Sequence, residues 1–354
     1  VMYSSNTLPG KNCCDVYRVE GAACENLYES INVHNSYNCQ FCYVITSSFD
    51  CLYSFDLKGC SNCFLSSNLR NKSYCFNNQQ LSKEEYFKQL SQFNLASYET
   101  RQLLYTKWID LIKKSLHKSV IGESCVDCTG NFMFNSKNSK HIFDSEKIED
   151  SKYLSVTLDM ADSYDVYHGG GTRCERIYES HAIAGDFEAK CIHLSYDNSF
   201  VEYCDSVHNS SNLFGCIGIQ KGSYCILNKQ YPKEEYLLLK EKLIEHMIQT
   251  KEYGEFFPMS LSPFGYNETQ GMVYLPINKE EALSKNMRWQ DNITITKGKQ
   301  ALIPDDMSDS VMAVSDSITS EVLECIECNK NYNIVTQEIA FYRAMVIPIP
   351  RKCP

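Results

Sequence analysis

The chain is short of positive charge. Lys and Arg number 34 against 44 Asp and Glu, for a net charge of −10. A balance of that sign argues against wholesale wrapping of nucleic acid and leaves room for a local basic patch. Long apolar runs are missing too. None approaches the ~18 residues that cross a bilayer as a helix, so no membrane span is expected. No leader is visible ahead of Val1, and a chain that starts at valine is expected to be trimmed or processed. The eight histidines show no His-Glu-x-x-His string and no Ser/His/Asp or Cys/His arrangement. The one glycine cluster, His168-Gly169-Gly170-Gly171-Thr172-Arg173, has no P-loop lysine and no helix behind it. It reads as a wide turn rather than a phosphate cradle. These gaps leave no catalytic and no cofactor-binding residue to name.

What is abundant points elsewhere. Aromatic residues make up 12% of the chain, 24 of them Tyr, which argues for order. With 354 residues the chain can bury a large core. There are 19 Cys, an odd number in a long chain, unlike a small secreted disulfide scaffold. Many fall in C-x-x-C pairs: Cys39/Cys42, Cys60/Cys63, Cys125/Cys128 and Cys325/Cys328. Such pairs read either as metal sites or as stacked small apolar residues. A reducing, cytoplasmic compartment is expected, with an exported, cell-surface location as the alternative. In the vicinal pair Cys13-Cys14, one side chain is expected to face inward and the other outward.

One stretch occurs twice. Ser73-Tyr74-Cys75 and the following Lys83-Glu84-Glu85-Tyr86 return as Ser223-Tyr224-Cys225 and Lys233-Glu234-Glu235-Tyr236, an offset of 150 residues. The register holds upstream without insertion. Cys24-Glu25 matches Cys174-Glu175, Tyr28-Glu29-Ser30 matches Tyr178-Glu179-Ser180, and Tyr53 and Phe64 match Tyr203 and Phe214. A duplication this clean means two copies of one structural unit.

Within each copy the texture is repetitive. Cys39 and Cys42 recur as Cys60 and Cys63, a step of 21 residues. Between them lie short strings such as Tyr43-Val44-Ile45, broken by Ser, Asn, Asp and Gly, which read as short strands joined by turns. A period near 20 without helical pattern predicts a β-solenoid, a β-helix whose inward stacks suit Cys, Ser and Asn.

Residues 1–81 are thus read as a first β-solenoid section, and 82–117 as a helical segment opened by an N-cap at Ser82. Residues 118–231 are a second β-solenoid section, 232–300 a helix and connector, and 301–354 a C-terminal zinc-binding unit. In the last unit a helix is expected near Ser317–Leu323, a hairpin over Tyr332–Val335 and a helix over Gln337–Met345. The fold class is mainly β with helical inserts.

The sharpest chemistry sits at the C-terminus. Cys325-x-x-Cys328 can grip one Zn²⁺ from a single knuckle, and Cys353 follows a hairpin, a helix and a basic Pro-rich segment. That pattern points to a zinc-ribbon or treble-clef-like unit with Cys325, Cys328 and Cys353 as ligands of a structural zinc. The regularly spaced Cys39/Cys42, Cys60/Cys63 and Cys125/Cys128 read as packing residues instead. Asp159, Asp162 and Asp165 could serve a Ca²⁺ site or acid–base work on a β-helix, but a solvated acidic face is the plainer reading. Arg343, Arg351 and Lys352, with Tyr342 among them, make the tail locally basic and compatible with RNA contact.

Three strings carry a resemblance. They are Asn228-Lys229-Gln230-Tyr231-Pro232-Lys233-Glu234-Glu235-Tyr236, Ser260-Leu261-Ser262-Pro263-Phe264-Gly265-Tyr266-Asn267-Glu268-Thr269, and Glu338-Ile339-Ala340-Phe341-Tyr342-Arg343 with Pro348-Ile349-Pro350-Arg351-Lys352-Cys353-Pro354. From about Cys24 onward the chain resembles uncharacterised Cys- and Asn-rich repeat proteins with zinc-ribbon ends, encoded by candidate-phylum bacterial genomes. The resemblance implies that the last motif continues as Cys-Pro-x-Cys, which would supply a fourth ligand. It also implies a zinc knuckle ahead of the first repeats, a motif not found among residues 1–24. It implies no activity.

The function expected from the sequence is a non-enzymatic binding or scaffold protein, acting on a protein partner or by self-assembly. The alternatives are a nucleic-acid- or ribosome-associated zinc protein and a β-helix carbohydrate-active enzyme.

Overall fold

A computed structural model describes residues 2–174, 180–184, 189–190, 193–293, 302–303 and 306–353. The repeat partners Glu175, Tyr178 and Glu179 lie outside these residues. The chain divides into two compact units, one comprising 1–117 with 294–354, the other 118–293. Both are mainly β and built on parallel sheets.

Most strands pair at one step, with departures to 11 where Gly122 pairs with Met133 and to 14 where Met160 pairs with Cys174. In the first unit Glu25 pairs with Tyr37, Tyr37 with Phe49, Phe49 with Ser61, and Ser61 with Ser73. In the second, Lys140 pairs with Lys152 and Lys152 with Tyr164, and later Ser199 with Ser211 and Ser211 with Ser223. This prevailing step is 12 residues, not the period near 20 suggested by the cysteines. The sequence misled for a simple reason. Twenty-one is a multiple of three but not of twelve, and the chain repeats in triplets within each step.

The triplet comes from the backbone. Asn38, Phe41, Val44, Ser47, Asp50, Tyr53 and Asp56 all hold φ between +47° and +60°. This left-handed region is costly for most side chains and least so for Asn, Asp and Gly. Many corners are accordingly Asn or Asp, among them Asn26, Asn32, Asn35, Asn62, Asn68 and Asn71. That demand explains the Asn-rich composition. The residue after each corner faces the interior. Cys39, Cys42, Ile45, Ser48, Cys51, Ser54, Leu57, Cys60, Cys63 and Ser66 are each no more than 1% exposed.

Inward serines and cysteines answer a hydrogen-bonding need. An inward residue turns its backbone N–H into the core, where water cannot reach it. Ser30 donates its hydroxyl to the Tyr28 carbonyl at 2.8 Å and accepts the Cys42 N–H at 3.2 Å. Ser48 donates to the Thr46 carbonyl at 2.8 Å and accepts the Cys60 N–H at 3.0 Å. Ser151 does the same between the Glu149 carbonyl and the Ser163 N–H. Thiols substitute at greater length: the Cys216 N–H reaches Cys204 Sγ at 3.4 Å. On the outside, corner amides form their own ladder, Asn26 to Asn38 at 2.9 Å and Asn38 to Asp50 at 3.1 Å.

The glycine cluster is not a turn. Gly169, Gly170 and Gly171 lie in the Tyr164–Cys174 strand. Leu158 still pairs with Gly170, but Met160 pairs with Cys174. Two extra residues therefore enter between Gly170 and Cys174, a bulge that residues without a Cβ accommodate most easily.

Each section ends alike. A short antiparallel ribbon, Cys75 with Gln80 and Cys225 with Gln230, leads into a helix. The Lys83–Leu90 helix opens with a complete capping box between Ser82 and Glu85. The Lys233–Thr250 helix starts at Pro232 without a side-chain cap. Tyr86 and Tyr236 occupy equivalent buried positions on these helices. In the first unit a second helix, Tyr98–Lys114, follows and lays Leu104 and Trp108 on the aromatic face of the sheet. Trp108 Nε1 donates to the Ser54 carbonyl at 3.2 Å.

The C-terminal segment packs on the same face. Ile318, Leu323, Tyr332, Ile339, Tyr342 and Ile347 share one core with Tyr28, Phe41, Phe64 and Trp108. Gln40 Nε2 donates to the Met345 carbonyl at 2.9 Å. Its local structure departs from the sequence reading in two places. The helix expected near Ser317–Leu323 is a short 3-10 turn, Asp316–Ser320, and Leu323–Glu324 is a strand. This strand pairs with Asn331–Tyr332, so the hairpin begins before Cys325 rather than after it. The Thr336–Ala344 helix follows.

Candidate metal centre

The hairpin explains the position of the first two cysteines. Leu323 pairs with Tyr332 and Glu324 with Asn331, which leaves Cys325 to Lys330 as the connecting loop. The Cys325 N–H donates to the Lys330 carbonyl at 3.0 Å, and Asn329 closes the loop at φ +54°. Cys325 Sγ accepts the Glu327 N–H at 3.4 Å. The third cysteine arrives on the segment after the Thr336–Ala344 helix. It is fixed beside the loop by the Ile326 N–H donating to the Arg351 carbonyl and by Tyr332 Oη donating to the Pro350 carbonyl at 2.7 Å.

The three sulfurs converge. Cys325, Cys328 and Cys353 Sγ lie within 4.8 Å of one another, and Cys328 and Cys353 are 3.6 Å apart. Sulfurs around a tetrahedral zinc at 2.3 Å stand about 3.8 Å from each other, so the spacing suits a thiolate-bound metal. Among the described residues this is the one group of three or more His, Cys, Asp or Glu side chains so arranged. Burial would push the Cys325 thiol up, but the N–H groups of Cys353, Glu327 and Cys328 outweigh it and bring it down to about 7. The Cys353 thiol is pushed up to about 12 by burial, with the neighbouring sulfurs of Cys328 and Cys325 adding to the shift. The donor set is one that holds a soft or borderline cation once its thiols ionise.

The basic residues beside it are already engaged. Lys352 Nζ pairs with Glu327 at 2.9 Å. Arg343 pairs with Asp316 and donates to the Val314 carbonyl at 2.6 Å. The Arg351 guanidinium lies 4.2 Å from the centre of the Tyr98 ring and donates to the Met307 carbonyl.

Elsewhere the candidates separate. Cys39, Cys42, Cys60 and Cys63 are inward packing residues, and Cys125 and Cys128 are half-buried inward residues of the second unit. Cys13 faces the inner stack while Cys14 faces the aromatic core beneath the C-terminal segment, so both are buried although they point oppositely. The described cysteines are unpaired by disulfides. Asp159, Asp162 and Asp165 stand at three consecutive left-handed corners rather than 12 residues apart, so they occupy successive faces. His141 stacks on Tyr153 at 5.1 Å and His208 on Tyr196 at 5.3 Å.

One group escaped the sequence reading. Arg101, 8% exposed, donates to Tyr28 Oη at 2.7 Å and to Glu29 at 3.2 Å, and lies 4.7 Å from the centre of the Phe41 ring. Its signal was present: an arginine in helical register with Leu104 and Trp108 on an apolar stripe.

In comparisons with known proteins, no family description matches the chain. No curated protein matches it either. Among solved structures it aligns with a protein from Desulfovibrio desulfuricans G20 provisionally described as an acetyltransferase, at 9% identity and a TM-score of 0.11. That alignment spans 64% of this chain and 56%, just over half, of the other. A likeness that slight carries no argument about fold or function.

Proposed function

We propose that the chain is a non-enzymatic binding or scaffold protein made of two β-solenoid sections, each wound in 12-residue coils with four three-residue sides. The prevailing 12-residue pairing step and the corner at every third residue support the winding. The observation that carries the binding reading is the outer face. Side chains there recur on rungs of parallel sheet and stay partly open to solvent. Phe143, Tyr153, Tyr164 and Tyr167 of the second unit are all exposed, although the sheet beneath them is rigidly hydrogen-bonded. Apolar rings held on a stiff surface are what protein partners, or a second copy of the chain, bury best.

A structural zinc ion held by Cys325, Cys328 and Cys353 completes the reading. The chain supplies three thiolate ligands, and the ion would tie the hairpin to the last segment. The protein-binding reading is preferred to RNA contact through the tail because Arg343, Arg351 and Lys352 are each engaged within the protein.

The test is quantitative capture from a native extract, with the wild-type chain beside a Phe143→Ser, Tyr153→Ser, Tyr167→Ser variant of equal melting temperature. Loss of specific proteins, or of self-association by sedimentation, supports the reading. Identical profiles for the two chains refute it. Retention on RNA that falls steeply with salt would favour the nucleic-acid alternative instead.

A further inference from the structure

The first unit contains a cavity of about 190 Å³ between the start of the first sheet and the C-terminal segment. Its wall includes Tyr3, Asp15 and Glu29 from the sheet side, Glu338 and Tyr342 from the C-terminal helix, and Lys352 beside Cys353 from the last segment. Aromatic rings and carboxylates therefore share one small space. The nearest buried cation, Arg101, is committed to Tyr28 and Glu29 and to the ring of Phe41. Glu338, 2% exposed, accepts the Val335 N–H at 2.8 Å and the Tyr342 hydroxyl at 3.3 Å. Asp15 accepts from the Cys14 thiol at 3.4 Å. Three carboxylates face two cations that are both committed, Arg101 to Tyr28 and Glu29 and Lys352 to Glu327 outside the wall, which leaves the cavity short of positive charge.

A bare metal ion does not suit this wall. Among the described residues, the one convergence of three or more acidic, Cys or His side chains is that of the three cysteines. The carboxylates of Asp15, Glu29 and Glu338 are therefore spread around the space rather than aimed at one point. A cation with an apolar stem fits better. Its charged head donates hydrogen bonds to carboxylates, and its methylenes and N–H or C–H groups lie against tyrosine rings. We propose that this cavity binds an alkylammonium group, either a free alkylamine or the side chain of a lysine on a partner. The Asp15 carboxyl, held up by burial and by the charge of Glu29, is consistent with a site awaiting such a counter-ion. The volume admits a four-carbon amine and excludes bulky polycations.

The experiment is calorimetric titration of the full chain at pH 7.5 and fixed ionic strength. The probes are n-butylammonium, 1,4-diaminobutane and Nα-acetyl-lysine methylamide, with sodium as the control cation. Saturable one-site binding is expected, weakened about tenfold or more by Asp15→Asn and by Tyr3→Ala. Asp159→Asn, in the other unit, should leave it unchanged. Asp15 stands at φ +52°, where Asn is well accepted, and Tyr3 is exposed, so both variants are expected to fold. Matching melting curves check that they do. Tighter binding of the lysine derivative assigns the group to a peptide, and tighter binding of a free amine assigns it to a small molecule; either sustains the proposal. No saturable binding at tens of millimolar, equal binding by the variants, or equal displacement by sodium overturns it.

Discussion

Ser48→Ala is the most direct test of why the interior is built from hydroxyls and thiols. Ser48 is buried, and its Oγ is 2.8 Å from the Thr46 carbonyl and 3.0 Å from the Cys60 nitrogen. The Thr46 carbonyl also accepts the Gly59 N–H at 3.0 Å, so it keeps a partner when the hydroxyl goes. The Cys60 N–H does not. It is left buried and unmade, which costs roughly 1–3 kcal/mol, while the volume removed is a single oxygen. Ser48→Cys keeps an acceptor in place at thiol distance and is expected to cost under about 1 kcal/mol, close to the weaker bond seen at Cys204. The assay is urea unfolding of the two variants, together with hydrogen exchange at the Cys60 amide. That amide should exchange faster in the alanine variant and stay protected in the cysteine variant. An alanine variant within about 0.5 kcal/mol of wild type would refute the argument, as would a cysteine variant that is just as unstable.

Other expectations can be checked alongside. Replacing Cys328 by Ser, or adding a chelator, should lower the melting temperature of the first unit, and metal analysis of the untreated chain should find about one zinc per molecule. Arg101→Met should destabilise by roughly 1.5–3 kcal/mol through lost charged hydrogen bonds, and Arg101→Lys should not restore the loss, because an ammonium cannot serve Tyr28 and Glu29 as a planar fork. Asp15 is raised from 3.8 to about 6, first by burial and then by Glu29. The native state thus holds more protons than the unfolded chain between those values, so this residue's contribution to stability falls as pH rises through that window. Asp15→Asn should gain on wild type from pH 4 to pH 7 in urea midpoints, and parallel pH profiles would count against the shift. Gly130 sits at φ +138°, and a Cβ there would run into the Ile142 carbonyl, so Gly130→Ala should destabilise the second unit by more than about 1 kcal/mol.

Much of the fold was legible because composition reports backbone conformation. The duplication, the helices after Gln80 and Gln230, and the inward role of Cys39, Cys42, Cys60 and Cys63 can all be read from the letters. The period could not. Cys serves at any inward position, so its spacing counts triplets and not steps, and left-handed corners are filled even by Phe41, Val44 and Tyr53. The three cysteines whose sulfurs converge were visible as Cys325, Cys328 and Cys353, the first two because a C-x-x-C knuckle is a local motif. The cavity was not, because it joins Asp15 to Glu338 across more than three hundred residues of chain. Side chains that meet only through tertiary packing leave no spacing to find.

The triplet rule bears on how such a chain can change length. Deleting or adding twelve residues would remove or supply a whole rung and leave its neighbours in register. A change of three would keep small residues inside, though it would shift which corner stacks on which. A change of one or two would turn every later interior side chain toward solvent, unless a bulge absorbed it on the spot. The stretch from Gly170 to Cys174 has the form of such a repair: two surplus residues, glycine at the site, and pairing resumed by Val166 with Ser180 at a step of 14. Gene segments of this kind are expected to tolerate length variation in quanta, with glycine marking the places where the count was broken.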